Sequence, residues 1–247
     1  MMKRMIPLLA LLALGSRAQT DKYSEISGLP TLPSYAVKVV KDKPVIDGRL
    51  SEKSWAGAVP ITLLFPWEDQ TGAKQRTTVK LLRDQNYLYV GYECEDADIT
   101  ARYENRDDPV YKDDCVEIFI RPGEKSDHYI GLEMNARGVL YDYFFPFPGK
   151  LEPGLNLDGV LLKTHLRGTL NQSEDKDQGW SLELAIPWQS LSKLAERLPP
   201  AGGEQWRVQI NRWDGTEPQR RLSMWCQSGL KRPNPHNPER FGNLTFK

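Results

Sequence analysis

From Tyr35 onward the apolar residues of this chain recur at every second position, in short runs closed by turn-forming residues. Thr77–Arg83 and Tyr87–Cys94 flank Asp84-Gln85-Asn86, a hairpin signal. Further period-two runs cover Cys115–Arg121, Tyr129–Asn135, Val139–Phe145, Val160–Leu166, Trp180–Ile186, Trp206–Trp213 and Asn243–Phe246, and Asn135-Ala136-Arg137-Gly138 marks a second tight turn. Many short strands joined by hairpins predict an all-β fold, an antiparallel two-sheet β-sandwich. Two short helices are expected: Ser51–Ala58 after the Asp47-Gly48 turn, and Gln189–Leu198, which starts after Pro187 and stops at Pro199-Pro200. Residues 146–158 and 227–240 hold most of the Pro, Gly and Asn and read as long surface loops, where binding residues concentrate. No internal repeat or composition break calls for a second domain.

The polar positions carry the chemistry. Val116, Ile118 and Ile120 share one strand face, which turns Glu117 to the other face with Cys115 and Phe119. The loop before it, Arg106 to Lys112, is rich in charge and offers Tyr111. By the same alternation Glu133 and Asn135 oppose Ile130, Leu132 and Met134, Glu183 opposes Leu182 and Leu184, and Gln209 and Asn211 oppose Val208 and Ile210. With Asp142 added, these form a ladder of amides and carboxylates across a sheet. Planar bidentate groups beside an aromatic platform suit the vicinal hydroxyls and C–H face of a sugar. A solvated sheet face would present the same pattern. Trp55, Trp180 and Trp206 fall in phase with aliphatic neighbours and read as core, whereas Trp67, Trp213, Trp225 and His236 lie in loops or at strand ends and are candidate ring-stacking groups.

The N-terminus reads as an export signal: Lys3 and Arg4, an apolar run from Met5 to Leu14, and a small-residue cleavage site ending at Ala18. The run is too short to span a bilayer. Cleavage there removes Lys3, Arg4 and Arg17 and no acids, so Lys+Arg falls from 33 to 30 against 33 Asp+Glu, a net charge near −3. No basic stripe remains for a nucleic-acid partner. Residues 19–34 form a flexible lead to a domain spanning residues 35–247, and the mature chain is expected in the periplasm or outside the cell. Cys94, Cys115 and Cys226 allow at most one bridge; Cys94 and Cys115 occupy different pleat positions, which favours buried free thiols.

Several segments resemble family 9 carbohydrate-binding modules. They are Val45-Ile46-Asp47-Gly48-Arg49-Leu50 with Trp55, Leu88-Tyr89-Val90, Asp113–Phe119, Gly179–Trp188, Gln205–Asn211 and Phe241-Gly242-Asn243-Leu244. Trp206-Arg207-Val208-Gln209-Ile210-Asn211-Arg212 and Pro238-Glu239-Arg240-Phe241-Gly242 are most similar to the exported stand-alone type. The resemblance implies a DOMON-like β-sandwich that binds oligo- or polysaccharide, often with structural calcium, in company with polysaccharide-degrading enzymes. It places a clamp aromatic at Tyr111 and the sugar-contacting glutamate at Glu117, with Asn135 ending the next strand. The family's arginine falls on Glu133, a reversal of charge, and its second clamp tryptophan falls on Pro235, beside His236. Arg106, Asp142, Asn211, Arg212, Trp67 and Trp225 complete the candidate ligand-binding set.

For calcium, Asp107, Asp113 and Asp114 offer hard oxygen ligands, although no continuous calcium-loop motif is present. Two other functions stand beside sugar binding. A glycoside hydrolase would take two carboxylates from Glu117, Glu133, Asp142 and Glu183. A haem-binding module of the wider DOMON-like group would use Met134 and His128.

Overall fold

The alternation sets the architecture. The computed structural model describes residues 24–123, 126–147, 149–195 and 197–247. The segment expected to be an export signal lies outside these residues. Among the described residues thirteen strands form: β1 (Ser34–Val39), β2 (Ile61–Thr62), β3 (Thr77–Arg83), β4 (Tyr87–Cys94), β5 (Cys115–Arg121), β6 (His128–Asn135) and β7 (Leu140–Pro146). They continue as β8 (Glu152–Pro153), β9 (Leu161–Arg167), β10 (Gly179–Pro187), β11 (Gln205–Asp214), β12 (Arg221–Met224) and β13 (Gly242–Phe246). Every run expected to be a strand is one, within a residue or so at its ends. The short β1, β2, β8 and β12 lack a long enough alternation to stand out. The segment expected as a flexible lead is pinned from Glu25 onward, whose amide donates to Gly229 O at 2.8 Å.

Helix is scarce. Ser51–Ala58 yields one turn, α1 (Lys53–Ala56). Gln189–Leu198 departs from expectation: a single 3₁₀ turn at Trp188–Leu191 is followed by two loose turns onto Leu191 O. Ten residues with Ser190 and Ser192 cannot offset the cost of helix nucleation, and burial of Trp188 and Leu191 fixes the chain instead. Among the described residues no helix is long and apolar enough to cross a membrane.

Hydrogen bonding runs β8-β7-β6-β5-β11-β13-β1-β3-β4-β10-β9, with β12 beside β11 and β2 beside β3. Neighbours are antiparallel except at β1, which pairs in parallel with β13 through Ser34–Val37 and with β3 through Lys38 and Val39. β1 thus passes from one arm of the sheet to the other and makes a single continuous path of what the sequence suggests as two sheets. The two arms face each other across one core. Val79, Val90, Leu182 and Leu184 from one arm join Val116, Ile118, Leu132 and Ile210 from the other in a single buried cluster. Tyr92 on β4 donates its hydroxyl to Glu117 O on β5 at 3.0 Å, a direct bond between arms. Met134 lies in this core, and His128 is at the far end of the same strand, six residues or roughly 20 Å away. No haem could be held between them. The three cysteines are buried and free.

Arg212 closes one end of the core. It shares the inward face with Ile210 and is fully buried. Its guanidinium donates to Thr77 Oγ1 (3.1 Å) and Glu95 O (2.7 Å), and to Asp96 Oδ2 (2.8 Å) and Asp214 Oδ1 (2.7 Å). Arg221 completes the network on Asp214 Oδ2 at 2.6 Å. Removing a buried cation strands the carboxylates that surround it, at a cost of about 3–5 kcal/mol. Arg212→Met is therefore expected to lower the unfolding free energy by about that amount in urea titration; a loss below about 1 kcal/mol would show that the network is not what joins the arms.

Candidate functional site

The polar ladder forms on the outer face of the β11-β5-β6-β7 arm. Register places Asn211, Glu117, Glu133 and Tyr141 in one row across four strands. The next row is Gln209, Phe119, Gly131 and Tyr143. Gly131 is required here because the Tyr143 ring lies over it, and an added Cβ would come within 2.1 Å of that ring. Asp142 does not belong to the ladder. It pairs with Leu132, on the opposite face from Glu117, where it accepts from Arg106 Nη2 at 2.6 Å and from the amides of Asn156 and Leu157. Asp142 and Arg106 therefore tie a loop down. Arg106 lines a second, smaller cleft of about 280 Å³ with Val139 and Leu162.

Aromatic rings cover most of the ladder. Phe119, Tyr129, Tyr143 and Phe241 are buried together. Tyr129 stacks on Phe145 at 4.8 Å, and His236 stacks on Phe119 at 4.9 Å with a 15° interplanar angle. His236 Nδ1 lies 2.7 Å from Tyr129 Oη, and burial lowers the imidazole to about 4, so the ring is neutral. The loop at the expected second clamp position thus supplies a flat ring, laid onto the sheet as a cover rather than raised as a wall.

Beneath this cover Glu117 and Glu133 stand directly opposite each other, 1% and 3% exposed. Burial pushes Glu117 up to about 7; burial and the neighbouring Glu117 hold Glu133 well above the usual carboxylate range. Two adjacent carboxyls in a dry site cannot both ionise at neutral pH. Asn211 Nδ2 donates to Glu117 Oε2 at 3.3 Å, and the buried Tyr143 hydroxyl is the polar group next to the Glu133 carboxyl. The charge reversal at Glu133 is therefore met by protonation. Asn135 is equally enclosed: it donates to Tyr103 O and Asp113 Oδ2 and accepts from the Arg137 and Val139 amides.

The face opens at its edge. A cleft of about 460 Å³ is lined by Arg102, Tyr111, Lys112, Thr216, Glu217 and Arg220. Tyr111 sits in a 3₁₀ turn anchored by buried Val110, and is 37% exposed, with Tyr141 at 5.9 Å. Asp113 fixes this turn by accepting from the Arg102 and Tyr103 amides. Across the cleft the Arg220 guanidinium lies on the Trp213 ring at 4.2 Å. Burial lowers Arg220, opposed by Cys115 and Glu117, which places it over the Glu117 end of the ladder. Trp67 packs behind Trp213 and donates to Leu230 O at 2.9 Å, and Trp225 packs at the edge of the core. Neither lines the cleft. Arg212, a candidate ligand residue in sequence, faces the core. No periodicity marks Arg220 or Arg102, and Lys112 stands out in sequence only as part of a charged loop; the pairing of β12 beside β11 brings Arg220 to the Tyr111 loop.

A cation does not fit the one acidic cluster found among the described residues. Oxygens of Asp96, Asp114 and Asp214 lie within 4.8 Å of one another. Each is already occupied: Asp96 and Asp214 by Arg212 and Arg221, Asp114 by the Thr100 and Gly215 amides at 2.6 and 2.7 Å. Guanidinium groups take the place a metal would need. Asp107 and Asp113 stand outside this cluster.

Residues 46–247 match the profile described as carbohydrate family 9 binding domain-like. The chain belongs to that family. The ordered motifs read from the sequence thus have their explanation. A comparison with curated proteins found no match. Among solved structures, a candidate carbohydrate-binding protein from Bacteroides uniformis is similar with a TM-score of 0.75 and 22% identity, over 88% of this chain and 100% of that one. A family 9 module from Caldicellulosiruptor kristjanssonii in complex with cellotriose has a TM-score of 0.58 and 18% identity, over 87% of this chain and 93% of that one. The same organism's family 9 module with glucose gives 0.57 and 20%, over 86% and 95%. These similarities place the fold.

The buried glutamates carry a pH signature. Unfolded glutamate ionises near 4.3, so side chains raised in the folded state hold protons that the unfolded chain releases. Their stabilising effect is present at low pH and is lost as pH rises through the folded values, with Glu117 at about 7. Stability should therefore fall between about pH 5 and pH 8, and Glu133→Gln should flatten that fall by at least about 1 kcal/mol while changing little at pH 5. Parallel pH profiles for the two proteins in chemical denaturation would contradict the assignment.

Proposed function

We propose that this protein binds oligo- or polysaccharide without cleaving it, in the cleft between Tyr111 and Arg220. One observation carries the proposal: in a chain of a carbohydrate-binding family, the ring at the clamp position stays exposed on an open cleft while the rest of the polar face is covered. Tyr111 would stack on a sugar ring, and the lining side chains would bond its hydroxyls. Glu117 and Asn135 lie beneath as support and do not meet the ligand. Family 9 modules of similar fold are known with cellotriose and with glucose, which supports a glycan as ligand. The basic start and apolar run of residues 1–18, read as an export signal, support a setting outside the cytoplasm, where such binding would serve polysaccharide breakdown beside degrading enzymes.

Hydrolysis is disfavoured by the placement of the acids. Glu117 and Glu133 are buried, Asp142 faces away, and Glu183 on the other arm accepts from Trp55 Nε1 at 2.7 Å. Only Glu217 among the lining residues is acidic, and a glycosidase needs two carboxyls flanking the bond. Titration calorimetry against an oligosaccharide panel is expected to give binding that Tyr111→Ala weakens about tenfold, or about 1.4 kcal/mol, with an unchanged melting temperature and no new reducing ends. Undiminished affinity in Tyr111→Ala would remove the cleft as the site.

A further inference from the structure

We propose that the sugar this cleft selects is anionic, bearing a carboxylate or sulfate group that Arg220 receives. The inference rests on the glycan-binding reading above and names its ligand class.

The argument begins with the charges on the lining. Arg102, Lys112 and Arg220 face the space with Glu217 as the single acid, in a chain whose cationic and anionic side chains are equal in number. Hydroxyl groups need no such excess of cations, and a carboxylate or sulfate does. Arg220 is the strongest indication. Its Nε and Nη2 are buried and make no hydrogen bond, while its plane is fixed against Trp213 at 4.2 Å. A guanidinium held flat at the wall of the cleft, with two donors that no protein group uses, is suited to an oxyanion that reaches it. Burial disfavours its charge, and Cys115, Glu117, Glu217 and Asp114 around it offset that only in part.

The other two cations are arranged to assist. Lys112 is exposed and has no ion pair among the described residues. Arg102 is held at the rim by a 3.6 Å contact with Asp113 and by Lys112 O at 3.4 Å. Tyr111 lies between these groups in the lining and offers a face for the pyranose ring. An acidic sugar stacked on Tyr111 would set its anion against Arg220, with Lys112 and Arg102 as screening charges.

The test is calorimetry with four probes: trigalacturonate for the carboxylate, a chondroitin sulfate tetrasaccharide for the sulfate, neutral cellotriose, and polyglutamate as an anion without a sugar ring. At least one acidic oligosaccharide is expected to bind ten or more times as tightly as cellotriose and to weaken as salt is raised, and whichever is preferred identifies the anion. Arg220→Gln should remove that preference, bringing the affinity for the acidic sugar down to the affinity the same variant shows for cellotriose. If that variant does not fold, exposed Lys112→Gln should still reduce the preference severalfold. Equal affinity for cellotriose and both acidic sugars, or a preference untouched by these substitutions, would overturn the inference while leaving the glycan reading intact. Polyglutamate binding as tightly as the acidic sugars would also overturn it, as plain charge attraction. Failure of every saccharide to bind would overturn both.

Discussion

The charged network around Arg212 joins the two arms of this fold where the hydrophobic core ends. Burial of Val, Ile and Leu from both arms supplies the general driving force, but it is non-directional. Arg212 adds direction: one guanidinium on β11 meets Thr77 on β3 and the loop after β4 in the other arm. Burial opposes its charge, and Asp214 and Asp96 outweigh that cost. Asp114 belongs to the same cluster, with burial and Asp96 pushing it up to about 8. It also accepts from Gly215 N, so the network reaches the loop that carries Thr216 and Glu217 to the cleft. The end of the core and the shape of the cleft therefore depend on the same group of side chains.

The opposite face follows from a different constraint. An open sheet face with two facing glutamates would carry like charges in register, which destabilises a strand pair. Here the aromatic cover removes water, the acids take up protons, and the repulsion disappears. The same cover makes the centre of the face inaccessible and leaves Tyr111 and Arg220, at the edge, in contact with solvent. Burial of Glu133 and the flat packing of His236 thus go together: the polar face is filled, and a basic cleft is left at its rim.

Much of this was legible in the chain. Alternation in β5, β6, β10 and β11 assigned each inward residue to the core, and Glu117, Glu133 and Asn211 to a shared outer face. The family motifs supported the fold and made Tyr111 the residue to watch. Alternation failed at Asp142, where the run was placed on the correct strand with the wrong neighbours in mind: facing follows register, and Asp142 pairs with Leu132 rather than Glu133. At Arg212 alternation gives the inward face, in phase with Ile210, against its place in the candidate ligand-binding set; the buried acids that pair with it come from distant segments.

What the sequence by itself determined is local and periodic: strand positions, the identity of each face, the turns, and family membership, since all of these depend on residues within one turn or one pleat of each other. What only the tertiary structure decided is which of those polar groups meet water. The cover over Phe119 and Tyr129 depends on His236, brought from more than a hundred residues away. The cleft depends on Arg220 arriving beside a loop from the other end of the domain. Exposure is a property of what covers a residue, and the covering groups here are remote in the chain.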